Sequence, residues 1–577
     1  MLKHFFPILD WLPNYKRGYL SGDVSAGITV GIMLIPQGMA YALIAGLPPV
    51  YGLYTALVPN IVYAFTGSSR KLAVGPVALD SLIVASGLAA MKLATLEQYI
   101  ALALFLALFV GLLQLVMGFF KMGFLANFLS RPVVSGFTSA AALVIAVSQL
   151  KYLMGIDIEA LGTLETLIEI IQNLNQINVL DFGIGLVAIV LILFFKWIHP
   201  KIPAAMLVVV LFIVGIFFFS DKIGSVSLVG TIPDGLPTFS AHTINSKQWV
   251  SVFPIALTLA FISFAEAMTM AKAVEEKSNR YYTDANQELR ALGLANIIGS
   301  FFQSYSANAG LSRTAVNVNE GAKTGLSSLI SSLVVALTLL FLTPIFSYLP
   351  KAVLGAIILV AIYSLIDMKL PLELFRQRKD EFVLLVLTFM TTLLIGISQG
   401  IIFGVLFSLL LLLNRISKPH IAVLGRIKGT DYFKNVERFE EEVQLPPNIL
   451  ILRFDAQLFF GNKDYFKKEL LKQVEKRKPD LQYVILNAEA INYMDSSAVA
   501  SLKQTILELH ARDIQFLITG AIGPIRDILH KSELVNVIGS DNIFVRTHEA
   551  VDYCESLKRK NSIQQKISLQ SRTKANM

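Results

Sequence analysis

Four polar residues stand inside long apolar stretches of this chain: Gln37, Asp80, Glu266 and Arg313. Such groups are costly in hydrocarbon, so each asks for a function. Glu266 sits in Ala260-Phe261-Ile262-Ser263-Phe264-Ala265-Glu266-Ala267-Met268, more than a helical turn from any charged neighbour. A carboxyl buried in apolar surroundings stays neutral until water or a cation reaches it, which is what a transported-proton site needs. The alternative is a structural carboxyl hydrogen-bonded to a facing helix. Arg313 lies in Gly310-Leu311-Ser312-Arg313-Thr314-Ala315. A helix starting there presents free N–H groups and partial positive charge, and an arginine beside them suits an oxyanion. Gly310 lets the backbone approach a ligand closely. An ion pair with Asp80 or Glu266 is the other reading of Arg313. The matching stretch in the first half is Ala73-Val74-Gly75-Pro76-Val77-Ala78, where a proline after a glycine marks a helix start. Gln37 follows Pro36, and its amide can donate to an anion or hold a bent helix together. Asp80 falls close to the same place. Its carboxylate would repel an anion unless it is protonated, paired with Arg313 or turned away.

These residues need elements that hold them inside apolar surroundings, and the composition supplies them. The chain has 577 residues, 54% hydrophobic and 16% charged, with mean hydropathy +0.62. A soluble chain carries about 25% charged residues. An all-α polytopic membrane protein is expected. Fourteen apolar spans are read near 24–45, 50–67, 76–91, 98–120, 130–150, 179–198, 203–220, 249–271, 287–303, 311–320, 326–347, 351–366, 381–397 and 400–414. The third and tenth are short, so each stands third in a block of seven. That is the pattern of a 7+7 inverted repeat whose half-helices meet at the bilayer midplane.

Seventeen lysines and arginines fall on one set of loops, among them Lys3, Lys16, Arg17, Arg70, Lys71, Lys196, Lys201, Lys277, Arg280 and Arg376. Only Lys92, Lys151, Lys222, Lys247 and Lys351 fall on the other set, which also carries acidic Asp157, Glu159, Glu165 and Glu169. The asymmetry places both termini in the cytosol. It also assigns the net charge of +8 to membrane anchoring and not to a nucleic-acid partner. Residues 1–20 mix Lys3, Lys16 and Arg17 with Pro7, Trp11 and Pro13, and read as a cytosolic-side interfacial segment, not a cleavable leader. Residues 21–415 form the membrane domain. Residues 420–556 alternate strands and helices as a small cytosolic α/β domain: strands 449–454, 483–486 and 515–519, helices 463–477, 497–511 and 525–532. Residues 557–577 read as a disordered tail. A single cysteine, Cys554, excludes internal disulfides and Cys-based metal clusters, and the seven histidines show no metal-ligand spacing. No metal, cofactor or enzymatic nucleophile–base arrangement is expected.

Several stretches together resemble the sulfate permease family of anion transporters. They are Pro36-Gln37-Gly38-Met39-Ala40-Tyr41-Ala42 with Ala45-Gly46-Leu47-Pro48-Pro49-Val50-Tyr51-Gly52-Leu53-Tyr54, then Gly67-Ser68-Ser69-Arg70 before Val74-Gly75-Pro76-Val77-Ala78. Asn286-Gln287-Glu288-Leu289, Gly293-Leu294-Ala295-Asn296 and Ser312-Arg313-Thr314-Ala315-Val316-Asn317 complete the set. Met494-Asp495-Ser496-Ser497-Ala498 lies in a region that resembles the STAS domain of that family.

The resemblance implies an anion site between spans three and ten, lined by Gln37 and Tyr41, with backbone amides near Val77, Ala78, Ser312 and Arg313. It implies an elevator-like shift of a core (spans 1–4 and 8–11) against a gate (spans 5–7 and 12–14), in a homodimer. Carboxylates at the position of Glu266 are linked there to cation coupling, with Asp80 the next candidate. Sodium-coupled bicarbonate members favour Asp with a nearby hydroxyl; here Glu266 is followed by Met268 and Met270, although Thr269 supplies a hydroxyl. Ser497 resembles the serine phosphorylated in anti-sigma-factor antagonists, where a phosphate could switch docking of a cytosolic protein partner. Ala498 replaces the usual glycine, and a helix N-cap is the structural alternative.

The expected function is uptake of an inorganic oxyanion, foremost sulfate, by proton symport across the cell (inner) membrane. A dianion entering against 100 mV costs about 4.6 kcal/mol, which two protons would cancel. Sodium-coupled or proton-coupled bicarbonate or dicarboxylate transport, anion exchange, and a membrane scaffold acting through the STAS-like domain are the competing readings.

Overall fold

The computed structural model describes residues 5–89, 91, 93–128, 130–156, 158, 163–199, 202–219, 226–241, 246–276 and 283–559. The expectations placed on Lys3, Lys92, Asp157, Glu159, Lys201, Lys222, Lys277, Arg280 and residues 560–577 lie outside them. The chain divides into two compact units, Met1–Ser408 and Leu409–Met577.

The membrane unit and the helix that leaves it contain a helix for each apolar span. They are α1 (Leu20–Ile44), α2 (Pro49–Thr66), α3 (Ala78–Ala89), α4 (Leu96–Phe119), α5 (Arg131–Met154), α6 (Val179–Ile198) and α7 (Ala204–Phe219). The second seven are α8 (Ser246–Glu276), α9 (Ala285–Phe301), α10 (Leu311–Asn319), α11 (Leu326–Phe341), α12 (Lys351–Ile362), α13 (Lys379–Leu394) and α14 (Ile397–Ser417). At 1.5 Å per residue, 12-residue α3 and 9-residue α10 are too short to cross a bilayer alone. Each is preceded by a two-residue strand, β1 (Val74–Gly75) and β2 (Asn308–Ala309). The strands pair antiparallel, Val74 with Ala309 and Gly75 with Asn308. The crossing satisfies backbone groups that would otherwise be orphaned at membrane depth.

Three sets of helix contacts come in repeat-related twos: α4 with α9 and α11 with α2, α4 with α8 and α11 with α1, α5 with α13 and α12 with α6. Buried amides follow the same relation. Asn60, twelfth residue of α2, donates to the Ser331 and Ser332 hydroxyls of α11 at 2.9 and 3.1 Å. Asn296, twelfth residue of α9, donates to Gln114 Oε1 of α4 at 3.2 Å. The small residues are where backbones touch: a Cβ on Gly293 would stand 2.8 Å from the Gly111 carbonyl oxygen, and one on Gly111 2.7 Å from that of Gly293.

The loops are fixed by buried carboxylates. Glu288 accepts Tyr63 Oη (2.7 Å), Ser68 N and Oγ (2.9 and 2.6 Å) and Ser69 N (2.9 Å). Asp23 accepts Lys323 N (2.6 Å) and Thr324 Oγ1 (2.7 Å). The segment before α1 is a clasp: Asp10 pairs with Arg70 at 2.6 Å, and Trp11 is buried against Gly325.

The second unit carries a seven-stranded sheet. Its strands are β3 (Ile421–Ile427), β4 (Phe433–Asn435), β5 (Val443–Gln444), β6 (Ile449–Phe454), β7 (Tyr483–Asn487), β8 (Gln515–Thr519) and β9 (Ile543–Phe544). The order is β4-β3-β6-β7-β8-β9, with β5 also on β3, and β6 to β9 run parallel. Leu450, Val484 and Phe516 point to one face, under α15 (Lys463–Arg477), α16 (Ser496–His510) and α17 (Gly523–Lys531). Ile451, Ile485 and Leu517 point to the other, under the helix of residues 547–559 with Cys554. β7 is therefore buried along its whole length, as a strand covered on both faces must be. β3, β4, β5 and β9 went unread in the sequence, and the last helix runs through residue 559, past the expected start of the tail.

Candidate functional site

The β1/β2 crossing sets two helix starts beside one another. β1 leads through Pro76 and Val77 into α3; β2 leads through Gly310 into α10. Four bonds tie the approaches together: Gly310 N to Ala73 O (3.0 Å), Ala73 N to Thr314 Oγ1 (3.2 Å), Asn317 Nδ2 to Lys71 O (2.8 Å) and Arg313 Nη1 to Pro76 O (2.9 Å). Ser81 N is the first amide of α3 to find a helical carbonyl, that of Val77, and Thr314 N the first in α10, to that of Gly310. The N–H groups before them are the unfilled donors of a helix start.

A cavity of about 660 Å³ opens at this point. Of the residues singled out in the sequence, Gln37, Tyr41, Val77, Ala78, Glu266, Ser312 and Arg313 line it. Arg313 is 1% exposed, and its Nε and Nη2 have no partner. One amino group is thus spent on the Pro76 carbonyl, and the rest of the fork is unsatisfied at the cavity. Its slot is made by glycine: a Cβ on Gly310 would stand 2.6 Å from Arg313 Cζ and Nη2. Gln37 Oε1 is likewise buried without a partner. Ser312 is exposed to the cavity, and Tyr41 is buried in its wall.

Asp80 is not in the cavity wall. It is fully buried in the first turn of α3, and its Oδ2 accepts Ser263 Oγ at 2.8 Å. Glu266 lies one turn beyond Ser263 on α8, and its Oε2 accepts Asn308 Nδ2 at 3.1 Å. Arg313 lies within the electrostatic reach of Glu266, but its hydrogen bond goes to the Pro76 carbonyl. The site therefore has a donor side, made of N–H groups and a guanidinium, and a carboxyl side, where Asn308 holds Glu266. Asn308, Ser263 and Tyr305, whose hydroxyl shares a hydrogen bond with Ser81 at 2.9 Å, were missed in the sequence. The polar run Gln303-Ser304-Tyr305-Ser306-Ala307-Asn308 between two apolar spans was the available signal.

In the second unit, Ser497 occupies the second position of α16 and is half-buried. The N-cap is Asp495, whose carboxylate accepts Ala498 N at 2.8 Å. The cap role weighed for the Ser497 region belongs to that aspartate.

Residues 20–388 match the Sulfate permease family and residues 440–550 the STAS domain. Sulfate transporter 4.1, chloroplastic, of Arabidopsis thaliana is 38% identical over 97% of this chain and 84% of that protein. High affinity sulfate transporter 1 of Stylosanthes hamata is 31% identical over 95% and 86%. The structure of the murine anion transporter Slc26a9 in the inward-facing state superposes with TM-score 0.89 at 26% identity, covering 96% of this chain and 94% of that one. With both its membrane and its soluble portions accounted for, the chain belongs to the sulfate permease family, multi-pass membrane transporters of anions that end in a STAS domain.

Proposed function

We propose that the protein takes up sulfate with protons by moving its anion site across the membrane in an elevator-type shift. The observation that carries this reading is the unsatisfied, buried Arg313 fork beside two helix starts, in one cavity with Glu266. Sulfate's oxygens accept from the free N–H groups of α3 and α10, the Ser312 and Tyr41 hydroxyls, the Gln37 amide and Arg313. Partial charges and one guanidinium meet the dianion without burying several full cations. Glu266 carries a proton, and Asp80 a second, so that two positive charges offset those of sulfate. Helices α1–α4 and α8–α11 move as the core, and α5–α7 with α12–α14 form the gate.

The protein acts as a homodimer in the cell (inner) membrane with both termini cytosolic, in keeping with the distribution of Lys and Arg over its loops. Its STAS domain, residues 420–556, offers Ser497 for phosphorylation and for recruitment of a cytosolic protein. The test is uptake of labelled sulfate into proteoliposomes of the purified chain, with and without an inward proton gradient. Gradient-driven accumulation is expected. Accumulation driven equally well by sodium alone, or of bicarbonate or dicarboxylates in place of sulfate, would overturn the assignment.

A further inference from the structure

The cavity explains Arg313 and Glu266 separately, and leaves open how one learns the state of the other. Asn308 stands between them. It is fully buried on β2, three residues before the first turn of α10. Its side chain has two engagements. Nδ2 donates to Glu266 Oε2 at 3.1 Å, and Oδ1 accepts the backbone N–H of Ala309 at 2.8 Å. Ala309 is followed by Gly310, whose N–H is fixed on Ala73 O and whose carbonyl accepts the first α-helical bond of α10. A continuous path of three residues thus joins the Glu266 carboxyl to the amides and guanidinium proposed to hold the anion.

The chemistry of the Asn308 bond depends on the proton. An amide N–H donates to a carboxylate through a charge-assisted bond, about twice as strong as one to a neutral acid. Protonation of Glu266 weakens that bond and adds an O–H that needs an acceptor of its own. Asp80 Oδ1, buried without a partner, and the Asn308 oxygen, which can take a second hydrogen bond beside the Ala309 N–H, are the acceptors at hand. In either case the bond that holds the Asn308 amide on Glu266 changes strength with the proton. The groups that face Glu266 are Asp80 from α3, Arg313 from α10 and Tyr41 from α1. Asp80 also borders the Asn308 amide. None of these is joined to the backbone of β2 as Asn308 is.

We propose that Asn308 is the positioning residue through which the protonation state of Glu266 sets the geometry of the anion cradle. The proposal rests on the coupling role given to Glu266 above. The experiment is labelled-sulfate uptake by the full chain in proteoliposomes, with KM and kcat measured at acidic and neutral external pH. The variants are Asn308→Ala, Glu266→Gln and the pair together, with Asn308→Ser as a smaller change should the alanine variant not fold. In the unaltered protein KM should rise with pH. Asn308→Ala should flatten that dependence, lowering the ratio of KM values by about tenfold, the worth of one hydrogen bond to a charged group. The double variant should match Glu266→Gln alone, because both remove the same link. A pH profile unchanged in both Asn308 variants but flattened in Glu266→Gln would overturn the proposal and leave Glu266 in place. An unchanged profile in Glu266→Gln would overturn the coupling reading and this proposal with it. Additive losses in the double variant would make Asn308 a structural residue only.

Discussion

Arg313 is held by a backbone carbonyl and not by a carboxylate, and this decides what its replacement should do. Arg313→Ala removes both the clamp on Pro76 and the unsatisfied fork, so the KM for sulfate should rise at least tenfold, or about 1.4 kcal/mol. Arg313→Lys keeps the charge but cannot donate to Pro76 O and to an anion through one planar fork, and should fall between. Sulfate affinity retained in the alanine variant would remove the anion site from this place. A second residue-scale expectation concerns the STAS domain. Asp455 is partly buried, which by itself would raise its pKa; bonds from Arg453 Nε (2.5 Å) and His420 Nδ1 (2.8 Å) outweigh burial and hold it below the usual value. A carboxyl depressed in the folded state adds stability above its unfolded pKa and loses it as pH falls through the folded one. Asp455→Asn should therefore cost about 1 kcal/mol at neutral pH and nothing at strongly acid pH. Thermal melts of the two proteins as a function of pH check this, and a constant gap between the curves would refute it.

At the scale of elements, the membrane unit depends on backbones that touch. Gly293 and Gly111 face each other across α9 and α4 with room for no Cβ on either. The obstruction is backbone, so no rotamer change relieves it. Gly293→Ala should lower stability by about 1–3 kcal/mol, seen as an earlier melting transition in detergent; an unchanged transition would mean that the crossing is slack. How far such elements could be read beforehand follows from their contrast. The spans were legible because 20-residue apolar runs have no soluble counterpart, and α3 and α10 because their shortness recurs at one place in each half. β1 and β2 are two residues each, too short for any period. The Arg313 clamp ends on a main-chain carbonyl, which carries no residue type. Asp80, Glu266 and Arg313 announced themselves by charge, whereas Asn308 and Ser263 are neutral groups that any loop or helix can hold. In the soluble unit, β6, β7 and β8 were legible as apolar runs. β4, β5 and β9 are two or three half-exposed residues, fixed by pairing with neighbours distant in sequence.

For the whole molecule, the proposed elevator requires two bodies, each stiffer than the boundary between them. The side-chain hydrogen bonds that join one helix to another fall on the right side of that requirement, while the strap of residues 227–240 is bonded to both bodies. Asn60 to Ser331, Asn296 to Gln114 and Tyr63 to Glu288 stitch core helices to one another. Ser135 to Asp367 ties α5 to the loop after α12 within the gate. Across the boundary α1 packs against α12, and the side chains the two helices bring to the cavity include the apolar Met33, Ile357 and Val360. Such a contact can slide by exchanging one apolar neighbour for another, with no buried hydrogen bond left unmade. The shift should therefore stop when the two faces are joined covalently. Thr29→Cys on α1 and Val360→Cys on α12 both line the cavity. The native Cys554 is buried in the STAS domain, its thiol pushed up to about 12 by desolvation, so it stays silent to thiol reagents at neutral pH. A cleavable bifunctional maleimide should abolish sulfate uptake in the double variant. Uptake should return on cleavage, and each single variant should remain active under the same treatment. Undiminished uptake by fully cross-linked protein would show that the anion crosses without movement of α1 past α12, and would rule out the elevator in this form.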